Sequence, residues 1–203
     1  MDDQPCNGMD APSSAWRDEH EAVLRLVLVD GIGAARLHQL RKRFGTARAA
    51  LSAKPAEFAA TIRAHESEAH RMLSDAHAAD PAAELDRVRA AGATVLAAGE
   101  PSYPSLLAQT PDPPALLFVR GELGPVPEPA VAIVGSRRAS AYGMVEAGRI
   151  AESLASRGVT VVSGGARGID AEAHRGALRA GGRPVAVLAS GLGPPYPPAH
   201  TPL

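Results

Sequence analysis

From residue 130 onward the chain repeats one pattern: a short run of Val, Ile, Leu and Ala, a glycine-bearing turn, then an amphipathic stretch. The runs fall at 131–134, 159–162 and 184–189, and the stretches between them at about 142–157 and 170–180. Strands without polar alternation, each followed by a helix, belong to a parallel sheet buried by its crossover helices. The expectation is therefore an α/β unit with right-handed crossovers and a sheet covered on both faces.

Only three such strands are legible before the sequence closes with GPPYPPAHTPL. A doubly wound sheet of the Rossmann type has five or six. The sheet is thus expected to be Rossmann-like but incomplete at its C-terminus, with the apolar runs at 94–98 and 115–120 as candidates to extend it. A last strand without a neighbour leaves an unpaired edge.

The upstream sequence has another character. Residues 1–15 are expected to be a disordered tail, residues 16–91 a small all-helical domain, and residues 92–203 the partial α/β domain. A helix over 16–29 would bury Val23, Leu24, Val27 and Leu28. After DGIG comes AARLHQLRKRFG, with Leu37, Leu40 and Phe44 on one side, Arg36 and Arg43 on another, and Gly45 as C-cap. Two helices joined by a Gly-Ile-Gly turn outline a helix-hairpin-helix, in which turn N–H groups face a DNA phosphate. The same spacing also suits a tight connection whose only task is packing. Residues 47–91 continue as alanine-rich helix broken at Pro55 and Pro81, and GPVPEPA over 124–130 is a proline-rich connector. The five histidines before residue 80 form no ligand set.

Net charge is −1, which hides a segregation. Residues 31–54 carry six basic side chains and no acid, 55–129 carry eleven acids against five bases, and 130–183 carry eight arginines against four acids. Two positive segments around an acidic one suit a polyanionic ligand or, alternatively, a solvated arginine surface. The single cysteine, Cys6, allows neither an intramolecular disulfide nor a cysteine-based zinc cluster. The N-terminus lacks the apolar core of a secretory signal, and no apolar run approaches the roughly 20 residues of a membrane span. A soluble, cytoplasmic protein is expected.

In an open α/β sheet, ligands sit at the carboxyl ends of the strands. Here those ends are GSRR at 135–138, SGGARGID at 163–170 and ASGLGPPYP at 189–197. Backbone N–H groups, serine hydroxyls and arginine forks are the donors that phosphate oxygens take. The turns contain no G-x-G-x-x-G, no acid closing the second strand, no P-loop and no G-x-S-x-G. That excludes the motif-defined dinucleotide, triphosphatase and serine-hydrolase classes. Asp170 and His174, one helical turn apart, suit an acid/base pair or a helix cap with its neighbour. No cofactor and no metal site are expected.

Several of these segments occur together and in order elsewhere. AIVGSRRASAYG, VTVVSGGARGIDAEAHRGAL and GGRPVAVLASGLGPPYP, preceded by YPSLLAQTPDPPALLFVRG, resemble the DNA-processing protein A (DprA/Smf) family. The helical GIGAARLHQLRKRFG segment resembles that family's N-terminal sterile-alpha-motif-like or helix-hairpin-helix domain. The resemblance implies a non-enzymatic protein that binds and protects single-stranded DNA and loads the RecA recombinase onto it during natural transformation. It implies DNA contacts at Gly135, Ser136, Arg137, Arg138, Ser163, Gly164 and Arg167, with Ala166 and Ile169 in packing roles. Tyr142 and Tyr196 are the few aromatic candidates for base stacking. The family's α/β domain continues past the Tyr-Pro step, so its homodimer and RecA surfaces are in doubt for this shorter chain. Gly165 stands where the family often has leucine.

Two competing readings stand beside this one. A nucleoside-monophosphate phosphoribohydrolase of the lysine-decarboxylase-like (LOG) type shares the layout, but its P-G-G-x-G-T-x-x-E turn is only half present, with Glu172 nearby. A non-functional truncated remnant would keep the turns without a stable fold.

Overall fold

A computed structural model of the chain describes residues 14–121, 123, 129–189, 191 and 192. Most of the expected tail, most of the proline-rich connector, Cys6 and Tyr196 lie outside the described residues. The chain forms two compact units, divided between Glu84 and Leu85, with Pro114–Leu116 belonging to the first.

The first unit is helical. It contains α1 (Ser14–Val27), α2 (Ala34–Phe44), α3 (Ala47–Leu51), α4 (Pro55–Ile62), α5 (Glu66–Ala78) and the start of α6 (Pro81–Ala90). Leu26, Leu40, Phe58 and Met72 are its fully buried large side chains, and alanines at 47, 50, 69 and 76 let the helices approach closely. The α1 stripe shifts from expectation: Leu26 is buried and Leu28 is 38% exposed, because the helix stops at Val27 and Leu28 leaves its register.

Pro55 and Pro81 begin helices rather than merely break one, since proline needs no amide partner in the first turn. The further break after α4 is made by Arg63, whose φ of 54° is left-handed and ends the helix. Glu19 accepts the N–H groups of Ala47 at 2.7 Å and Arg48 at 3.1 Å, capping α3 from a distant helix. Arg25 donates to the carbonyls of His77 at 3.0 Å and Ala79 at 2.8 Å and closes the other end of the same problem at α5.

The second unit carries β1 (Ala93–Ala97), α7 (Ser105–Ala108), β2 (Leu116–Arg120), β3 (Ala130–Ala132), α8 (Ala141–Ala155), β4 (Thr160–Gly164), α9 (Ile169–Arg179) and β5 (Val185–Val187). The last three strands form a parallel sheet in the order β3-β4-β5, in register at Val131–Val161 and Val162–Val185. The strands at 93–97 and 116–120 do not extend it, contrary to the expectation. They pair with each other in a sheet of their own, so each already uses an edge.

Coverage on both faces is also corrected. With the strands in sequential order, two crossovers of one hand place both helices on one side. There α8 and α9 pack against each other over Val161, Ala151, Ala155, Ala173 and Ala177. Their contact is close because both contribute glycine: a Cβ on Gly176 would collide with the carbonyl oxygen of Gly148. The other side keeps apolar surface, with Val187 64% exposed.

Candidate functional site

The carboxyl ends of β3, β4 and β5 bring three turns to one rim of the parallel sheet. The first two interlock through their backbones. The N–H of Ile169 donates to the carbonyl of Ser136 at 3.3 Å. Gly168 has φ 81° and ψ −125°, a region open essentially to glycine. A Cβ there would strike the Ser136 carbonyl oxygen and lie 3.1 Å from Arg137 Cα. From the other side, a Cβ on Gly135 would lie 2.7 Å from Ile169 Cγ1. Arg137 and Arg167 therefore sit on turns whose main chains touch.

Local hydrogen bonds shape each turn. The Ser136 hydroxyl oxygen accepts the Arg138 N–H at 3.1 Å, folding 136–138 into a tight bend. Ser140 caps α8 by accepting the Gly143 N–H at 3.1 Å. Gly135, Ser136, Arg137, Arg138 and Arg167 are all exposed.

Ser163 and Gly164 are placed differently. Ser163 is 2% exposed, and its hydroxyl donates to the Ile133 carbonyl at 2.6 Å, tying β4 to the end of β3. The structure thus places this expected DNA contact below the surface, with its hydroxyl hydrogen engaged inside the fold. The Gly164 carbonyl accepts the Nε2–H of His174 at 2.8 Å, and a Cβ on Gly164 would lie 2.5 Å from Asp170 Oδ2. The glycine is there to admit the carboxylate.

Asp170 is not the cap of α9, as one sequence reading had it; Gly168 holds that position. The carboxylate is 7% exposed, its Oδ1 meets no hydrogen-bond donor, and no hydrogen bond joins it to His174 among the described residues. An acid/base pair is thus not assembled. Glu172, the glutamate nearest the LOG-type pattern, is ion-paired with Arg175 at 2.5 Å.

Most acids of this segment are matched on the helices. Glu146 pairs with Arg149 at 2.9 Å, Glu152 with Arg179 at 3.1 Å and Glu172 with Arg175. Three of the four acids of 130–183 are thereby matched to arginines on the helices. Arg137, Arg138 and Arg167 form no ion pair among the described residues. Arg137, Arg138 and Arg167 lie with Asp170 where the strands end, and Arg157 and Arg183 lie at the opposite ends of the elements. Among the described residues no cluster of His, Cys, Asp or Glu could hold a metal ion, and no helix is long and apolar enough to cross a membrane.

In the helical unit the Gly-Ile-Gly turn is packed. Ile32 is buried, and a Cβ on Gly31 would lie 2.7 Å from Met72 Cε. Arg36 folds back to the Gly31 carbonyl at 3.0 Å and to Glu68 at 3.3 Å, while the Arg43 guanidinium stacks over Phe44, 5.6 Å from its centroid. The two arginines are occupied separately.

Sequence reasoning credited the arginines and missed Gly168 as the residue that fits their turns together. The available signal was a glycine lodged between Arg167 and the first residue of a helix.

The family model for DNA recombination-mediator protein A matches residues 94–203, and that for the DprA-like N-terminal HHH domain matches residues 17–81. The Protein Smf of Synechocystis sp. is 32% identical over 178 residues, covering 85% of this chain and 44% of that protein. A Putative DNA processing protein DprA of Mycobacterium tuberculosis is 50% identical over 92 residues, 44% of this chain and 24% of its own length. The DNA processing protein DprA of Streptococcus pneumoniae is 41% identical over 98 residues, 48% of this chain and 34% of its own length. A crystal structure of the Streptococcus pneumoniae DprA shares the fold, with a TM-score of 0.70 at 24% identity over 90% of this chain and 62% of that one. The chain spans less than half the length of these curated relatives. On both its helical and its α/β segments, the chain belongs to the DNA recombination-mediator protein A (DprA/Smf) family.

Proposed function

We propose that this chain binds single-stranded DNA along the strand-end rim, holding the sugar-phosphate backbone with Arg137, Arg138 and Arg167 and with the turn at Gly135 and Ser136. Ser163 and Gly164 support the turn from beneath. The role is DNA protection and processing in the cytoplasm during natural transformation, without a cofactor or metal, with RecA as the recipient of the bound strand.

The observation that carries this reading is the interlock of the 135–138 and 165–168 turns, which gathers on one rim three exposed arginines that form no ion pair among the described residues. Arginine forks without protein acceptors are suited to successive phosphates, and contacts limited to phosphate give no sequence preference. Tyr142, 76% exposed in the first turn of α8, is the described aromatic available for base stacking.

Fluorescence anisotropy with a labelled oligo-dT tests the reading. The 203-residue chain is expected to bind, and replacing Arg137, Arg138 and Arg167 together by Ala is expected to weaken binding by more than about tenfold. Equal binding by the triple variant would overturn it. Release of adenine from AMP by the purified chain would instead favour the hydrolase.

A further inference from the structure

Arg120 closes β2, outside the turns that form the rim, yet its side chain reaches one of them. Its Nε–H donates to the Ala91 carbonyl at 3.1 Å, just before β1. Its Nη2–H donates to the Leu192 carbonyl at 2.8 Å, in the turn that follows β5. One guanidinium thus links the two-stranded sheet to the third strand-end turn across 72 positions of sequence. That turn has little intrinsic stiffness: Gly191 has φ 75° and nothing within 4 Å of where a side chain would begin.

We infer that Arg120 is a positioning residue for DNA binding: it anchors the turn at Leu188, Ala189, Gly191 and Leu192 and thereby fixes the third side of the rim. The inference rests on the proposed DNA reading. Two of the guanidinium's N–H groups already hold main-chain carbonyls, and the turn they fix is the element through which the residue acts. The planar fork is what allows one side chain to hold two carbonyls that lie apart, and an ammonium lacks that geometry.

The test compares wild type, Arg120→Ala and Arg120→Lys in oligo-dT binding over a salt series, together with amide hydrogen exchange. Arg120→Ala is expected to weaken binding about three- to tenfold while the salt slope stays at the wild-type value. Arg120→Lys is expected not to restore affinity. Exchange at Leu188, Ala189, Gly191 and Leu192 is expected to accelerate in both variants while α8 and α9 keep wild-type protection. Wild-type affinity in Arg120→Ala, or rescue by Lys with a reduced slope in Ala, would overturn the inference, the latter by making Arg120 a direct phosphate contact. Unchanged exchange at Leu188, Ala189, Gly191 and Leu192 would overturn it independently of DNA. Failure of the wild-type chain to bind any oligonucleotide would defeat the DNA reading, while the exchange result would still decide the anchoring role. Should Arg120→Ala not fold, Arg120→Lys carries the same comparison.

Discussion

Gly168 presses its bare α-carbon against the backbone of Arg137, so closely that a Cβ would lie 3.1 Å from Arg137 Cα. The contact makes two separate turns, 30 residues apart in sequence, into one surface. Its glycine also has backbone angles that other residues adopt only under strain.

Gly168→Ala is therefore expected to combine two costs, backbone strain and a collision with the Ser136 carbonyl. Gly181 provides the control, with φ 69° and open space around it. Gly181→Ala should lose about 1 kcal/mol, and Gly168→Ala at least ~2 kcal/mol, with DNA affinity falling only in the latter. Urea unfolding and oligonucleotide binding measure both.

Between the two crossover helices, a methyl group on Gly176 would meet the Gly148 carbonyl oxygen and Ala151 Cβ. Both neighbours belong to α8, one of them backbone, so the helices must separate. Gly176→Ala should destabilise the α/β unit by about 1–3 kcal/mol. The helical unit, with its own core, is expected to keep its unfolding transition; hydrogen exchange resolves the two.

Ser163 bridges β4 to the end of β3 through a 2.6 Å bond made by a buried hydroxyl. Ser163→Ala leaves the Ile133 carbonyl without that donor and should cost about 1–2 kcal/mol. Because the serine is buried and its hydroxyl hydrogen is engaged by Ile133, the salt slope of DNA binding should stay at the wild-type value.

Burial pushes the Tyr103 phenol above its ordinary 10.0. The folded state holds that proton more tightly than the unfolded chain. The associated stability is full below pH 10 and is lost as pH rises through the raised value. A pH series of unfolding midpoints, compared with Tyr103→Phe, should show an alkaline decline that the phenylalanine variant lacks.

The order of strands and helices after residue 130 was legible because buried parallel strands leave unbroken apolar runs, and Gly45, with φ 83° and its N–H on the Arg41 carbonyl, caps α2 as its position suggested. What was not legible depends on contacts across the fold. The pairing of β1 with β2 and the one-sided packing of α8 and α9 follow from strand order, which local periodicity does not encode. At the rim, arginines and serines could be named from donor chemistry alone. That Ser163 turns inward while Ser136 stays exposed is decided by the register of β4 against β3, two residues of similar appearance receiving opposite roles.

If the rim arginines grip DNA phosphates, oligo-dT affinity must fall with salt in proportion to their number. Each phosphate contact on a single strand contributes about 0.7 to the slope of log affinity against log salt. Arg137→Ala and Arg167→Ala should each flatten the slope by about that amount, and the double variant by roughly twice as much. A wild-type slope near zero, or a double variant with the wild-type slope, would contradict the account.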